Sequence, residues 1–490
     1  MNLNSQIRII DNVRSVNLCA LFVLSIIFVT LFSYSTSPLY GNICNHPDSA
    51  IFQIIGKYWT QGLLPYRDLW DLKGPFIFLS DALGYSLTDS YIGIYILQIV
   101  NMWLTLLFTF CTYKLYFNNK YSLLLSVLSL LSLSYTYQCG NLCEEYLLPF
   151  LSLSFFLLLK YLKKIELRGD YNHSHYYAVV YGIVLGLSLM SRLTNALPVC
   201  GAVAVVGITL LLFNRYLNLL GNIIGFLIGF LMSTLPFIFY FHLHGALDAL
   251  WNGTLFYPLQ YASNPSKDIL GDGIHFFVLS FGNSLLLLVI STMIMIRQHY
   301  VDIRLMIWFL SSLFPFIWFC QGNGWGQYGM TVLPLLAVSV IEMKRWRMKK
   351  LFILVAFLII IGFISKARFA FEMQNYKNPF IISYKQFLRD SKYVDYNSFV
   401  AYNCDPNFYL ADDIRPAAPF FSLQDFAIGR NEHLREVVVN SFKEKCPQWI
   451  LLKYEDKNEV AIHNILHQYY NIVKEDKKNK LTLYRYNDHN

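Results

Sequence analysis

Apolar runs nearly free of charge and long enough to cross about 30 Å of hydrocarbon as helices recur along this chain. They lie at Leu18 to Tyr34, Tyr91 to Phe117, Tyr121 to Tyr137, Tyr146 to Leu162, Ala196 to Phe213, Leu217 to Phe241, Ile274 to Met295, Leu305 to Cys320 and Leu351 to Ile364. Two shorter runs, Ala178 to Met190 and Tyr328 to Val340, are expected to span as well. Inside lipid every backbone N–H and C=O must be satisfied within the protein, so each run reads as a helix. With 55% hydrophobic and only 14% charged residues, the composition excludes a water-soluble globule. The expectation is an α-helical polytopic membrane protein with about eleven transmembrane helices. The first run lacks a small-residue cleavage site, so no cleaved signal is expected.

Lysine and arginine set the orientation, because short cytoplasmic loops collect them. Arg8 and Arg14 fall on one side with Lys114 and Lys120, with Lys160, Lys163, Lys164 and Arg168, and with Arg215, Arg297 and Arg304. The run Lys344, Arg345, Arg347, Lys349, Lys350 joins them. The facing loops hold Lys57, Arg67, Lys73, Arg192 and Lys267. This places the N-terminus in the cytoplasm and the C-terminus outside an inner (plasma) membrane. Counting the short apolar stretch Gly74 to Leu87 as a span would invert every later loop, so it reads as an interfacial helix.

Two domains are expected. Residues 1–365 form the transmembrane part, with a polar first exterior loop at about 35–90, and residues 366–490 form a small C-terminal extracytoplasmic α/β domain. In the latter "SFVAYN" and "QWILLKY" read as buried strands, "NEHLREVVVNSFKEK" as an amphipathic helix and "YNIVKEDKKNKLTLYRY" as a hairpin. Cys404 and Cys446 fall there, and a disulfide or two separate thiols are equally compatible with the sequence. The sequon at Asn252 matters only in a host that glycosylates such sites.

The first exterior loop carries more polar chemistry than a connection needs. Asp48 follows the first span where the chain turns apolar and helical, so its carboxylate would be held at the membrane boundary. Glu144 and Glu145 arrive similarly where the fourth span begins, although acids at a helix start are also favoured by the macrodipole. Arg192 sits in the short turn "MSRLTNA"; an arginine near hydrocarbon costs on the order of 2.5–3.5 kcal/mol, so it needs a partner, either a lipid phosphate or one of those two glutamates.

The order of elements, Asp48 through Phe52, Gly62 through Asp68, then Asp71, Lys73, Gly74 and Pro75 in "GLLPYRDLWDLKGP", resembles the first exterior loop of GT-C glycosyltransferases. The resemblance is to the protein O-mannosyltransferase-like and aminoarabinose-transferase-like branch, which uses polyprenyl-phosphate sugars. It continues more weakly through "CEEYLLPF", "LMSRLTNALPV", "WGQYGMTVLPLLA" and "CPQWILL". It implies Asp48 as catalytic base, Lys73 as a cation near the donor phosphate, and Arg67 and Arg192 as further phosphate-binding candidates. Glu144 and Glu145 form a secondary acidic site. Tyr66, Asp68, Trp70, Asp71, Gln327 and Tyr328 are substrate-lining candidates, the last two where the family often has His-Tyr.

What the resemblance implies is an inverting enzyme that moves a sugar from a polyprenyl-phosphate donor to a lipid, glycan or protein hydroxyl on the extracytoplasmic face. No cofactor is required; His46, Asp48, Glu144 and Glu145 could offer ligands to a divalent metal, but their spacing is not diagnostic. No nucleic-acid partner is expected. A flippase or other transporter would place its polar residues at mid-membrane depth. A polysaccharide polymerase or ligase would be expected to carry an arginine-rich central exterior loop, whereas the stretch from His242 to Gly273 holds only Lys267 as a cation.

Overall fold

The computed structural model describes residues 14–40, 46–263, 274–320, 325–374, 376–389, 394–422, 425, 428, 431–454 and 460–487. Arg8 and Lys267 lie outside them. The chain forms two compact units, one of Met1–Ser33, Tyr95–Tyr240 and Pro265–Glu372, the other of Tyr34–Ile94, Phe241–Asn264 and Met373–Asn490.

Every expected span coincides with a helix. Among the described residues seven are long and apolar enough to cross a membrane: Ser15–Phe32, Tyr91–Lys114, Cys143–Arg168, Leu193–Leu212, Tyr216–Leu243, Gly326–Arg345 and Lys349–Met373. Asn119–Leu133, His175–Leu189 and Ile303–Phe319 are shorter, below the roughly 20 residues that cross hydrocarbon without tilt or thinning, while the helix Ile274–Gln298 runs for 25 residues.

In the first unit small residues let backbones meet, as lipid-embedded helices require. A Cβ on Gly182 would lie 2.0 Å from the Phe226 carbonyl, and one on Gly229 equally close to that of Val179. Gly201 meets the Leu310 backbone in the same way. Leu227, Leu231, Leu235 and Phe239 remain exposed on Tyr216–Leu243, as do Leu354, Leu358 and Ile361 on Lys349–Met373, which gives these helices lipid-facing surfaces. Arg304 is neutralised by Glu342 at 3.0 Å, and that carboxylate also accepts the Trp308 indole N–H.

The second unit joins two short helices to a sheet domain. Pro47–Thr60 and Pro75–Thr88 each begin with proline, whose fixed φ suits the first helical position. They pack through Phe52 and Phe78, with ring centroids 5.9 Å apart. The expected strands appear as β1 (Phe399–Tyr402), β2 (Trp449–Lys453), β3 (Tyr470–Asp476) and β4 (Leu481–Tyr486) in the order β1-β2-β4-β3. β1 and β2 are parallel and the other pairs antiparallel. Parallel neighbours need a crossover, and the helix Glu432–Lys445 lies in it, burying Leu434, Val438 and Phe442 against Ile450 and Leu452. Cys404 and Cys446 are both free thiols, Cys404 sealed in the core and Cys446 at a left-handed helix end.

Gly56 is where the two short helices touch: a Cβ there would lie 2.5 Å from that of Asp81 and 2.8 Å from the Ala82 nitrogen. Gly56→Val should therefore destabilise the fold by about 1–3 kcal/mol. Gly207→Ala, with open space around it, should be neutral or stabilising. Thermal unfolding of the purified variants, followed by tryptophan fluorescence, checks both; equal midpoints would refute the contact.

Candidate active site

The polar loop of the second unit is closed on itself. Tyr66 adopts φ 69°, its N–H donates to the Leu69 carbonyl at 2.7 Å, and its hydroxyl donates to the Lys73 carbonyl at 2.6 Å. The ring is buried against Phe78 and Phe241, and Gly253 must be glycine because a Cβ would fall 2.3 Å from it. Asp68 accepts the Leu64 N–H at 2.8 Å and the Arg67 guanidinium at 2.7 Å. Burial works to raise Asp68, yet these donors outweigh it and hold the carboxyl below its usual range.

Trp70 pins the loop to the sheet domain. Its N–H donates to the Pro419 carbonyl at 2.9 Å, and its ring packs 4.9 Å from Phe420 and 6.3 Å from Tyr257. Lys57 adds an ion pair with Asp413. Tyr66 and Trp70 thus position the segment that carries Asp71 and Lys73.

Asp48 lies half-buried in the first turn of Pro47–Thr60, where the helix N-terminus favours a carboxylate. Asp71 is its electrostatic neighbour. Burial pushes the Asp71 carboxyl up to about 6; Lys73 and the N–H groups of Leu72 and Lys73 pull down, while the charge of Asp48 adds to the rise. Its Oδ2 is sealed from solvent without a hydrogen-bond partner among the described residues. Asp48, from its helix, and Lys73 therefore both act electrostatically on Asp71.

The remaining candidates belong to the first unit, where the adjacent glutamates separate cleanly. Glu145 is fully buried and accepts from the Tyr137 hydroxyl at 2.6 Å, Gln98 at 2.9 Å and the Asn141 N–H at 2.8 Å. Glu144 instead meets Arg192 at 3.1 Å, and that guanidinium stacks 3.0 Å above the Tyr328 ring. Gln327 is buried, its Oε1 unpartnered among the described residues.

Two features escaped the sequence reading. Asp81 is buried on Pro75–Thr88, signalled only by being the one acid inside an apolar stretch. Thr254 meets the Tyr66 hydroxyl at 3.2 Å from a distant segment, and the sequence marks it only as the threonine of the Asn252 sequon. Among the described residues no three His, Cys, Asp or Glu side chains gather as a metal ion would require.

The Asp71 shift has a stability consequence. Its carboxyl titrates near 6 in the fold against roughly 3.9 in the unfolded chain, so the folded state prefers the protonated form. The cost is absent below about pH 4, grows as pH rises between the two values and is complete above them. Asp71→Asn should therefore stabilise the protein at pH 7.5, by about 1–2 kcal/mol after allowance for screening, and lose that advantage near pH 4. Unfolding midpoints across pH 4 to 8 check this; a pH-independent difference would contradict it.

No protein-family model matches the chain, and no curated protein sequence matches it. Solved structures do. ArnT from Cupriavidus metallidurans, crystallised with undecaprenyl phosphate, aligns with a TM-score of 0.57 at 11% identity over 97% of this chain and 99% of its own. The Archaeoglobus fulgidus oligosaccharyltransferase in complex with Zn and sulfate aligns at 0.47 and 13% identity, over 94% of this chain and 72% of its own. Archaeal AglB from the same organism, with an inhibitory peptide and a dolichol-phosphate, aligns at 0.44 and 12%, over 96% and 74%. The likeness to ArnT, nearly complete in both chains, shows the fold: this is a polytopic integral membrane protein with the GT-C fold and a small C-terminal sheet domain.

Proposed function

We propose that the chain is an inverting glycosyltransferase that moves a sugar from a polyprenyl-phosphate donor to an acceptor hydroxyl on the extracytoplasmic face. The observation that carries this reading is the closed polar loop with Asp48, Asp71 and Lys73, in a chain sharing the fold of a protein crystallised with undecaprenyl phosphate. A hydroxyl is a weak nucleophile at neutral pH, so a carboxylate must take its proton as it attacks. Asp48 is assigned that role. The acceptor oxygen bonds to the anomeric carbon as the bond from that carbon to the phosphate oxygen breaks, and this single displacement inverts the configuration. The departing lipid phosphate gathers negative charge, which positioned cations stabilise. Lys73 is assigned to it, with Arg67 and Arg192 as further candidates. Arg192 already has its orientation set by Glu144 and Tyr328, a restraint that favours a fixed phosphate ligand over a loose surface charge.

The sugar donor and the acceptor class follow from one assay. Transfer of radiolabelled sugar from a panel of polyprenyl-phosphate sugars to endogenous membrane acceptors is expected for wild type, and Asp48→Asn at matched expression should lower it by about 10²–10⁴. Undiminished transfer would remove Asp48 from the mechanism and turn attention to Glu144. Failure of wild type with every donor would favour a transporter of lipid-linked glycans instead.

A further inference from the structure

The first unit contains a cavity of about 250 Å³ that the proposed reaction does not use. One wall is the C-terminal end of Cys143–Arg168, which contributes Lys160, Lys163, Lys164 and Arg168; Tyr161 and Tyr177 form another. The walls are built rather than loose. The Tyr161 hydroxyl donates to the Tyr171 carbonyl at 2.8 Å, and Tyr171 stacks on Phe213 at 3.6 Å. His173, fully packed among Tyr161, Tyr177 and Tyr181, fastens the segment to Asn218 and Asn222.

The charge balance is uneven. Asp170 is engaged by Lys164 at 2.6 Å and Glu166 by Arg345 at 2.9 Å. Lys163 forms no ion pair among the described residues; its ammonium donates to the Leu115 carbonyl at 2.6 Å, with Glu166, already paired with Arg345, attracting it from a distance and Lys344 repelling it. Arg168 is likewise not ion-paired among the described residues. Snorkelling would let such side chains spread into water, and here the two lysines are instead tied to backbone carbonyls across the cavity, Lys164 to Asn172 at 2.9 Å.

We propose that this cavity binds the headgroup of an anionic phospholipid. Its phosphate would meet Lys163 and Arg168. The volume lies just below the range of about 300–1,000 Å³ typical of whole small-molecule sites, which suits a headgroup with its acyl chains left outside. Leu167 lines the rim half-exposed, an apolar surface that suits a lipid better than a soluble anion. Basic pockets between membrane helices are a recurrent way of holding such headgroups. The site is independent of the proposed transfer chemistry.

The test is native mass spectrometry of the delipidated full-length protein, titrated with phosphatidylglycerol or phosphatidylcholine in detergent. Wild type should retain phosphatidylglycerol preferentially. Lys163→Gln with Arg168→Gln should weaken that binding about thirtyfold, at the effect per cation expected beside an anionic headgroup. Lys163→Arg with Arg168→Lys should keep it, as should Lys349→Gln with Lys350→Gln, which removes the same charge from an exposed site outside the cavity. Should the double glutamine variant fail to elute as a single species, Arg168→Gln alone, at an exposed position, is expected to weaken binding about fivefold. Equal loss in the Lys349/Lys350 variant, equal retention of phosphatidylcholine, or no change in the cavity variants would overturn the proposal. Displacement of the lipid by millimolar inorganic phosphate would overturn the lipid assignment in favour of a soluble phosphate.

Discussion

The Tyr66 hydroxyl bonded to the Lys73 carbonyl is the constraint on which the polar loop of the second unit depends. It closes eight residues into a ring of backbone contacts, and it does so at the cost of a left-handed conformation at a non-glycine residue, about 1–2 kcal/mol. Burial of the ring against Phe78 and Phe241 offsets that cost. Once the loop is closed, Trp70 is left facing the sheet domain, where its amide finds Pro419 and its ring finds Phe420. The C-terminal domain therefore has a mechanical role that does not require it to touch substrate: within its unit it clamps the segment carrying Asp71 and Lys73.

Carboxylates in this protein divide by how completely they are satisfied. Glu145 accepts three hydrogen bonds from a tyrosine, a glutamine and a backbone amide, leaving little capacity for anything else. Such an acid holds helices together, and removing it would strand its donors. Glu144 is committed to an arginine that is itself stacked on a tyrosine. Asp71 has an oxygen with no donor among the described residues, a state that costs stability and persists where it serves something besides stability. Adjacent glutamates that look equivalent in sequence are thus distinguished by their partners, and the more revealing acid lies in another unit.

The helices were legible in the sequence because lipid leaves a nearly charge-free run one way to satisfy its backbone, and the sheet domain because short apolar runs read as buried strands and its hairpin has a charged turn. The loop was legible as chemistry but not as geometry. That Trp70 anchors on Pro419, some 350 positions away, or that Gly253 makes room for Tyr66, depends on contacts that no local pattern encodes. Arg192 was read correctly as needing a partner, and the choice of Glu144 over Glu145 rested on which face of the first turn each residue occupies. The number of membrane crossings was less legible, since Asn119–Leu133, His175–Leu189 and Ile303–Phe319 are too short for length alone to decide.

The Asp48, Asp71 and Lys73 group also bears on how a phosphate would be received. Two carboxylates beside one lysine leave the group net negative when both are ionised, which opposes an anionic ligand. Asp71, already raised to about 6 by burial and by Asp48, is the group whose proton could relieve this. On the proposed reading, a donor phosphate settling near Lys73 raises Asp71 further, and proton uptake accompanies binding. Asp48 keeps its assigned role on that reading, accepting the proton of the attacking hydroxyl. The loop closed by Tyr66 holds the segment with Asp71 and Lys73 in place while the ligand changes.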